Sequence, residues 1–124
     1  MPKPKKILII ENEKVLREMY VVRFKQAGLE VIAVDNAEDG VRVARQEQPD
    51  IVLLDILLPR NDGLKALQEI REDPTIAKLK IVAFSNFDDP TAKKHAKELK
   101  ALDYLIKTNF TPAEIVKKVK SYLK

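Results

Sequence analysis

The chain has 124 residues, 45% hydrophobic and 34% charged, with no cysteine and a formal net charge of +4. That length makes one domain able to bury a core without disulfide or metal staples. The missing cysteines exclude thiol catalysis, thiolate metal sites and disulfide frameworks. No apolar run approaches the ~20 residues of a membrane span, and Ile7 to Ile10 is too short for a signal-peptide core. The expectation is a cytoplasmic globular domain. The modest basic excess lies largely in Lys3, Lys5, Lys6 and the terminal Lys117, Lys118, Lys120 and Lys124. It reads as solvated surface, with neither a nucleic-acid-binding spacing nor a membrane-binding segment.

In chain order, Lys6–Ile10 reads as a buried strand. A helix follows, with Val15, Leu16, Met19 and Val22 on one face at helical spacing, and Gly28 stops it. Glu30–Val34 is a second strand, and Asn36 caps a helix with Ala37, Val41 and Ala44 inward. Ile51–Leu54 is the third and most apolar strand. The loop Pro59-Arg-Asn-Asp-Gly63 leads to a helix that buries Leu64, Leu67 and Ile70. Lys80–Phe84 is the fourth strand. Asp89 and Pro90 open a helix with Ala92, Ala96 and Leu99 inward. Ala101–Ile106 is the fifth strand. Thr111-Pro-Ala-Glu114 is a capping box before a last helix that buries Ile115, Val116, Val119, Tyr122 and Leu123.

Strict strand–helix alternation predicts an α/β doubly wound parallel sheet with helices on both faces. Strands covered on both faces read as continuous apolar runs, as these do. Ligands in such sheets bind outside the carboxyl ends of the strands. The residues there are Glu11, Asn12 and Glu13 after the first strand, Asp55 after the third, Ser85 and Asn86 after the fourth, and Lys107 and Thr108 after the fifth. Asp55 is the most informative. It interrupts the apolar stretch Ile51–Pro59, where a carboxylate is costly unless paired or metal-bound. Lys107 ends an apolar strand in the same way.

Four segments carry a resemblance: Ile7–Glu13, Asp50–Gly63, Ile81–Ser85 and Asp103–Lys107. In them the chain resembles the receiver domains of two-component response regulators, of the chemotaxis-Y-like kind, over essentially its whole length. The resemblance implies a five-stranded flavodoxin-like sheet in the order 2-1-3-4-5 with five helices, and a single receiver domain over residues 1–124 with no output domain in this chain. It implies a switch phosphorylated on Asp55 by a histidine kinase, a histidine phosphotransfer protein or a small phosphodonor, and read by a downstream effector protein or domain. Mg²⁺ is the implied cofactor, with Glu11, Asn12, Asp55 and the backbone carbonyl of Leu57 as its ligands. Lys107 and Ser85 would contact the phosphoryl group, Ser85 and Tyr104 would form the switch, and Leu57 and Phe87 would control water access. Self-phosphorylation and autodephosphorylation are the only chemistry implied, with no turnover of an external substrate.

Three positions depart from the resemblance. Asn12 stands where a second carboxylate is usual. Thr108 replaces the proline that usually follows the lysine. Lys100 stands where a helix-ending glycine is usual. Asn12 leaves a second possibility, a pseudo-receiver that docks partners without phosphorylation. A flavodoxin would need a hydroxyl- and glycine-rich phosphate loop where Glu11-Asn-Glu-Lys14 lies. A haloacid-dehalogenase-type phosphatase would need an acid where Leu57 stands. His95, among Lys93, Lys94 and Lys97, reads as surface.

Overall fold

The five apolar segments become five parallel strands in the order β2-β1-β3-β4-β5. The computed structural model describes residues 3–124. The strands are β1 (Lys6–Ile10), β2 (Glu30–Val34), β3 (Ile51–Asp55), β4 (Ile81–Ser85) and β5 (Asp103–Ile106). Between and after them run α1 (Lys14–Gln26), α2 (Ala37–Glu47), α3 (Asp62–Glu72), α4 (Pro90–Glu98) and α5 (Pro112–Ser121). β4 begins one residue later than expected and β5 two. No helix among the described residues is long and apolar enough to cross a membrane.

Side chains alternate across a strand, so the sheet divides its apolar residues between two cores. Leu8, Ile10, Val52, Leu54, Ile81 and Ala83 pack with residues of α2, α3 and α4. Ile7, Ile9, Ile51, Leu53, Val82, Phe84 and Leu105 pack with Tyr20 and Phe24 of α1 and Ile115 and Val119 of α5.

The expected caps form. The Asn36 side chain accepts from the Asp39 N–H at 2.8 Å. That of Asp89 accepts from Thr91 and Ala92. Thr111 and Glu114 complete the capping box. α1 departs from expectation. Its buried residues are Tyr20 and Phe24, with Leu16 and Met19 against them. Val15 and Val22, expected inward, are 75% and 53% exposed. Apolar residues surround much of this helix, and the large aromatics win the inward face because they cover more apolar area.

Candidate functional site

Strand register assembles the site. Ile10 pairs with Leu54, Asp55 with Phe84, and Ser85 with Ile106. Glu11 is therefore level with Asp55, and Ser85 and Lys107 follow one and two residues beyond that level at the same end of the sheet. Strand parity then divides them. Glu11 continues the alternation of Ile7 and Ile9, Asp55 that of Ile51 and Leu53, and Lys107 that of Leu105, all on the α1/α5 side. Ser85 continues the alternation of Ile81 and Ala83, and Tyr104 packs with the same α2/α3/α4 core.

Lys107 joins the two acids. Its Nζ lies 2.6 Å from Glu11 Oε1 and 3.0 Å from Asp55 Oδ2. The three side chains are 6%, 1% and 9% exposed. Beneath the ammonium lies the Phe84 ring, 4.4 Å from Nζ to centroid, a cation–π contact that helps hold a buried charge. Burial pushes the Glu11 carboxyl above its ordinary value; Lys107 pulls it down and the neighbouring Asp55 pushes it up again. Tyr20, buried near Glu11, is pushed up to about 12 by burial and by that charge.

Backbone turns fix the acids from the other side. The Leu57 N–H donates to Asp55 Oδ1 at 2.9 Å, and the Glu13 N–H to Glu11 Oε2 at 3.3 Å. The Arg17 guanidinium donates to the carbonyls of Glu11 at 3.0 Å and Asn12 at 3.2 Å, clamping the loop after β1. Gly63 is required here by close approach: a Cβ on it would collide with the backbone carbonyls of Asp55 and Ile56. Asn12 is exposed beside Glu11. The peptide after Lys107 is trans, as are all the described peptides, and the lysine reaches both acids from it.

Ser85 is fully buried, and its Oγ accepts from the Phe87 N–H at 3.1 Å. The Tyr104 hydroxyl approaches the Phe87 carbonyl at 3.5 Å. Burial raises the Tyr104 pKa, and the neighbouring Ser85 hydroxyl offsets this in part. Leu57 is half-buried against the α2/α3/α4 core, whereas Phe87 is 67% exposed.

The expected residues thus form two neighbouring groups: Glu11, Asp55 and Lys107 in one, Ser85, Tyr104 and Phe87 in the other. Sequence reasoning missed Phe84, Tyr20 and Arg17. Phe84 read as part of an apolar strand, and Tyr20 lay off the helix face expected to pack inward. A cation one turn into the helix after an acidic loop was the available signal for Arg17.

A family model for the response regulator receiver domain matches residues 7–120. The chain belongs to that family. Among curated relatives, it is 30% identical to the phosphate regulon transcriptional regulatory protein PhoB of Pseudomonas aeruginosa over 97% of this chain and 52% of the relative. It is 29% identical to the alkaline phosphatase synthesis transcriptional regulatory protein PhoP of Bacillus subtilis, over 97% of this chain and 49% of the relative. The chain spans about half the length of these relatives. A LuxR-family DNA-binding response regulator from Staphylococcus aureus superposes with a TM-score of 0.85 at 26% identity, covering 97% of this chain and 99% of that one. A receiver domain protein from Methanospirillum hungatei superposes at 0.88 with 21% identity, over 97% and 94%, a likeness of fold. As a receiver domain the chain is a component of two-component signalling.

Proposed function

We propose that this receiver is a phosphorylation-driven switch whose phosphoacceptor is Asp55. The observation that carries the reading is a nearly buried carboxylate whose Oδ1 is held by a backbone N–H and whose Oδ2 is held by an ammonium. A carboxylate so fixed can act as an oriented nucleophile. The phosphorus–nitrogen bond of a phosphohistidine breaks as a phosphorus–oxygen bond forms to Asp55, and the imidazole nitrogen takes the electron pair. The donor is a histidine kinase or a histidine phosphotransfer protein, and a small acyl phosphate can take its place.

Mg²⁺ suits the donor set in kind, since Glu11, Asp55, the Asn12 amide and the Leu57 carbonyl offer hard oxygen ligands. Among the described residues no group of three or more acidic, His or Cys side chains converges, so the set is poor in charge. When bound, the ion would neutralise the crowded oxygens of donor and acceptor. Lys107 holds a phosphoryl oxygen as a point charge. The Ser85 hydroxyl turns from the Phe87 N–H toward another, and Tyr104 moves into the space it leaves. The face formed by α4 and β5 thereby changes, and an effector reads it. Leu57 and Phe87 set the access of water to the acyl phosphate.

Intact mass after treatment with acetyl phosphate and Mg²⁺ tests the reading. One added phosphoryl group, absent from Asp55→Asn, is expected. An equal gain in that variant overturns Asp55 as the acceptor. No gain in either protein favours the phosphorylation-independent docking module that Asn12 suggests.

A further inference from the structure

Lys107 must cross a strand to reach its acids. It follows β5, whereas Asp55 ends β3 and Glu11 follows β1, and β4 lies between β5 and β3. Adjacent strands are ~4.8 Å apart, so the side chain has about 10 Å of sheet to span before it meets Asp55. The residue of β4 level with Asp55 is Phe84. Its ring belongs to the α1/α5 core, the side on which strand parity also puts Asp55 and Lys107.

The donors of the ammonium point to that ring. An ammonium carries three N–H groups. Lys107 Nζ gives one to Glu11 and one to Asp55, and among the described residues no other oxygen accepts from it. The side chain is almost buried, so water meets little of it. The fully buried Phe84 ring has its centroid 4.4 Å from Nζ. The negative face of an aromatic ring attracts a cation and accepts an N–H weakly. The ring is itself held in place. Tyr20 packs against it at 73° with centroids 5.7 Å apart, and Phe24 packs on Tyr20 at 6.3 Å.

We infer that Phe84 is a positioning residue for Lys107, its ring face carrying the ammonium across β4 and meeting the third N–H. A leucine at this position would fill the core but offer no negative face. A polar side chain would bind the ammonium along fixed directions and compete with the two acids. A ring attracts a cation over its whole face, so the contact persists when the ammonium changes acceptor. The change of acceptor, from Asp55 Oδ2 to a phosphoryl oxygen, rests on the function proposed above. The hold of the ring on the ammonium in the unphosphorylated protein does not.

The test replaces Phe84 with 3,5-difluorophenylalanine, which nearly keeps the shape of the ring and weakens its negative face. Phe84→Leu, which removes the face, is the second variant. Urea titrations compare each replacement in the wild-type chain and in Lys107→Met, with Lys107→Met/Glu11→Gln as the background if the single variant does not fold. The fluorinated ring should lower the folding equilibrium constant about fivefold beside Lys107, and by less than about twofold where the ammonium is gone. Equal losses in the two backgrounds overturn the inference. The rate of phosphorylation by acetyl phosphate at fixed Mg²⁺ is the readout that packing alone would not move. With every variant shown folded by thermal melts, the fluorinated protein should gain the phosphoryl group about fivefold more slowly than the wild type, and Phe84→Leu more slowly still. Coupling in stability with an unchanged rate reduces Phe84 to a stabilising contact and overturns its positioning role. No phosphoryl gain in the wild type itself removes the function proposed above, and the titrations then decide alone whether the ring holds the ammonium.

Discussion

Lys107 lies closer to Glu11 than to Asp55, with Nζ–oxygen distances of 2.6 and 3.0 Å. The ammonium is thus shared between two buried acids and leaves a formal charge of −1 on the group. Removing it leaves two carboxylates facing one another with water largely excluded, the costly way to break a buried ion pair. Lys107→Met should lower unfolding free energy by about 3 kcal/mol. Adding Glu11→Gln should restore more than half of it, because the repulsion goes with the charge. Urea titrations of the wild type, the single and the double variant measure this, and equal losses in both variants would contradict it.

The same charge count bears on the cation proposed above. Two carboxylates against one ammonium form a weak field for a divalent ion, and Asn12 adds an oxygen without charge. Hard-cation affinity follows ligand charge. Asn12→Asp should tighten Mg²⁺ binding by about tenfold in calorimetric titration. Equal or weaker affinity would mean that position 12 contributes nothing to the ion.

The parallel sheet was legible because strands buried on both faces carry continuous apolar runs, its order because of the family resemblance, and Asp55 because it breaks one such run. The inward face of α1 was not. Val15, Leu16, Met19, Tyr20, Val22 and Phe24 offer more than one apolar stripe, and only packing against β1 and α5 selects among them. Nor could spacing show that Lys107 sits closer to Glu11, since that depends on register across the four strands from β5 to β1. The division of Ser85 and Tyr104 from the acids follows from strand parity, which needs the exact strand ends.

Lys100 occupies a left-handed conformation with φ of 61°. The Lys100 N–H donates to the Lys97 carbonyl and the Ala101 N–H to the Ala96 carbonyl, the paired bonds of a Schellman helix end. α1 ends in the same pattern at Gly28, where φ is 91° and the bonds run to Lys25 and Phe24. A side chain in this region is strained, and glycine relieves the strain at some entropic cost in the unfolded chain. Lys100→Gly should therefore stabilise the fold by about 0.5–1 kcal/mol, and Gly28→Lys should destabilise it by a similar amount. Denaturant midpoints with unchanged slopes report both; a destabilised Lys100→Gly would refute the argument.

Asp73 gives the fold an acid-sensitive contact. Its carboxylate accepts from Arg45 Nε at 2.6 Å, the Thr75 hydroxyl at 2.7 Å and the Thr75 N–H at 2.9 Å. Arg45 first, then Thr75, holds its pKa down to about 2 from an ordinary 3.8. A depressed carboxylate pKa means that the unfolded chain binds its proton first as pH falls. The contribution is whole above 3.8 and is lost as pH falls toward about 2. Asp73→Asn should remove that component from the pH dependence of the urea midpoint over this window, leaving a shallower acid limb. An acid limb of unchanged slope would show that the contact carries no stability.

On the function proposed above, Leu57 and Phe87 bear on the lifetime of the phosphorylated state. Each stands two residues after a site residue and holds it with its own backbone N–H: Leu57 holds Asp55 Oδ1 at 2.9 Å, and Phe87 holds Ser85 Oγ at 3.1 Å. The turns fix where these two side chains leave the backbone, whatever the side chains are. Neither leucine nor phenylalanine can hydrogen-bond a water and aim it at phosphorus, and an attacking water that is not positioned reacts slowly. Polar replacements keep the backbone N–H bonds and add groups able to orient water. Leu57→Asn/Phe87→Glu should speed loss of the phosphoryl group by about tenfold, equivalent to ~1.4 kcal/mol in the barrier. The measurement is phosphoprotein remaining with time in excess Mg²⁺ after the donor is removed. Because Phe87 is 67% exposed and Leu57 half-buried, Leu57→Asn alone should give the larger share of the effect. Equal decay in the wild type and the double variant would show that neither side chain limits the approach of water.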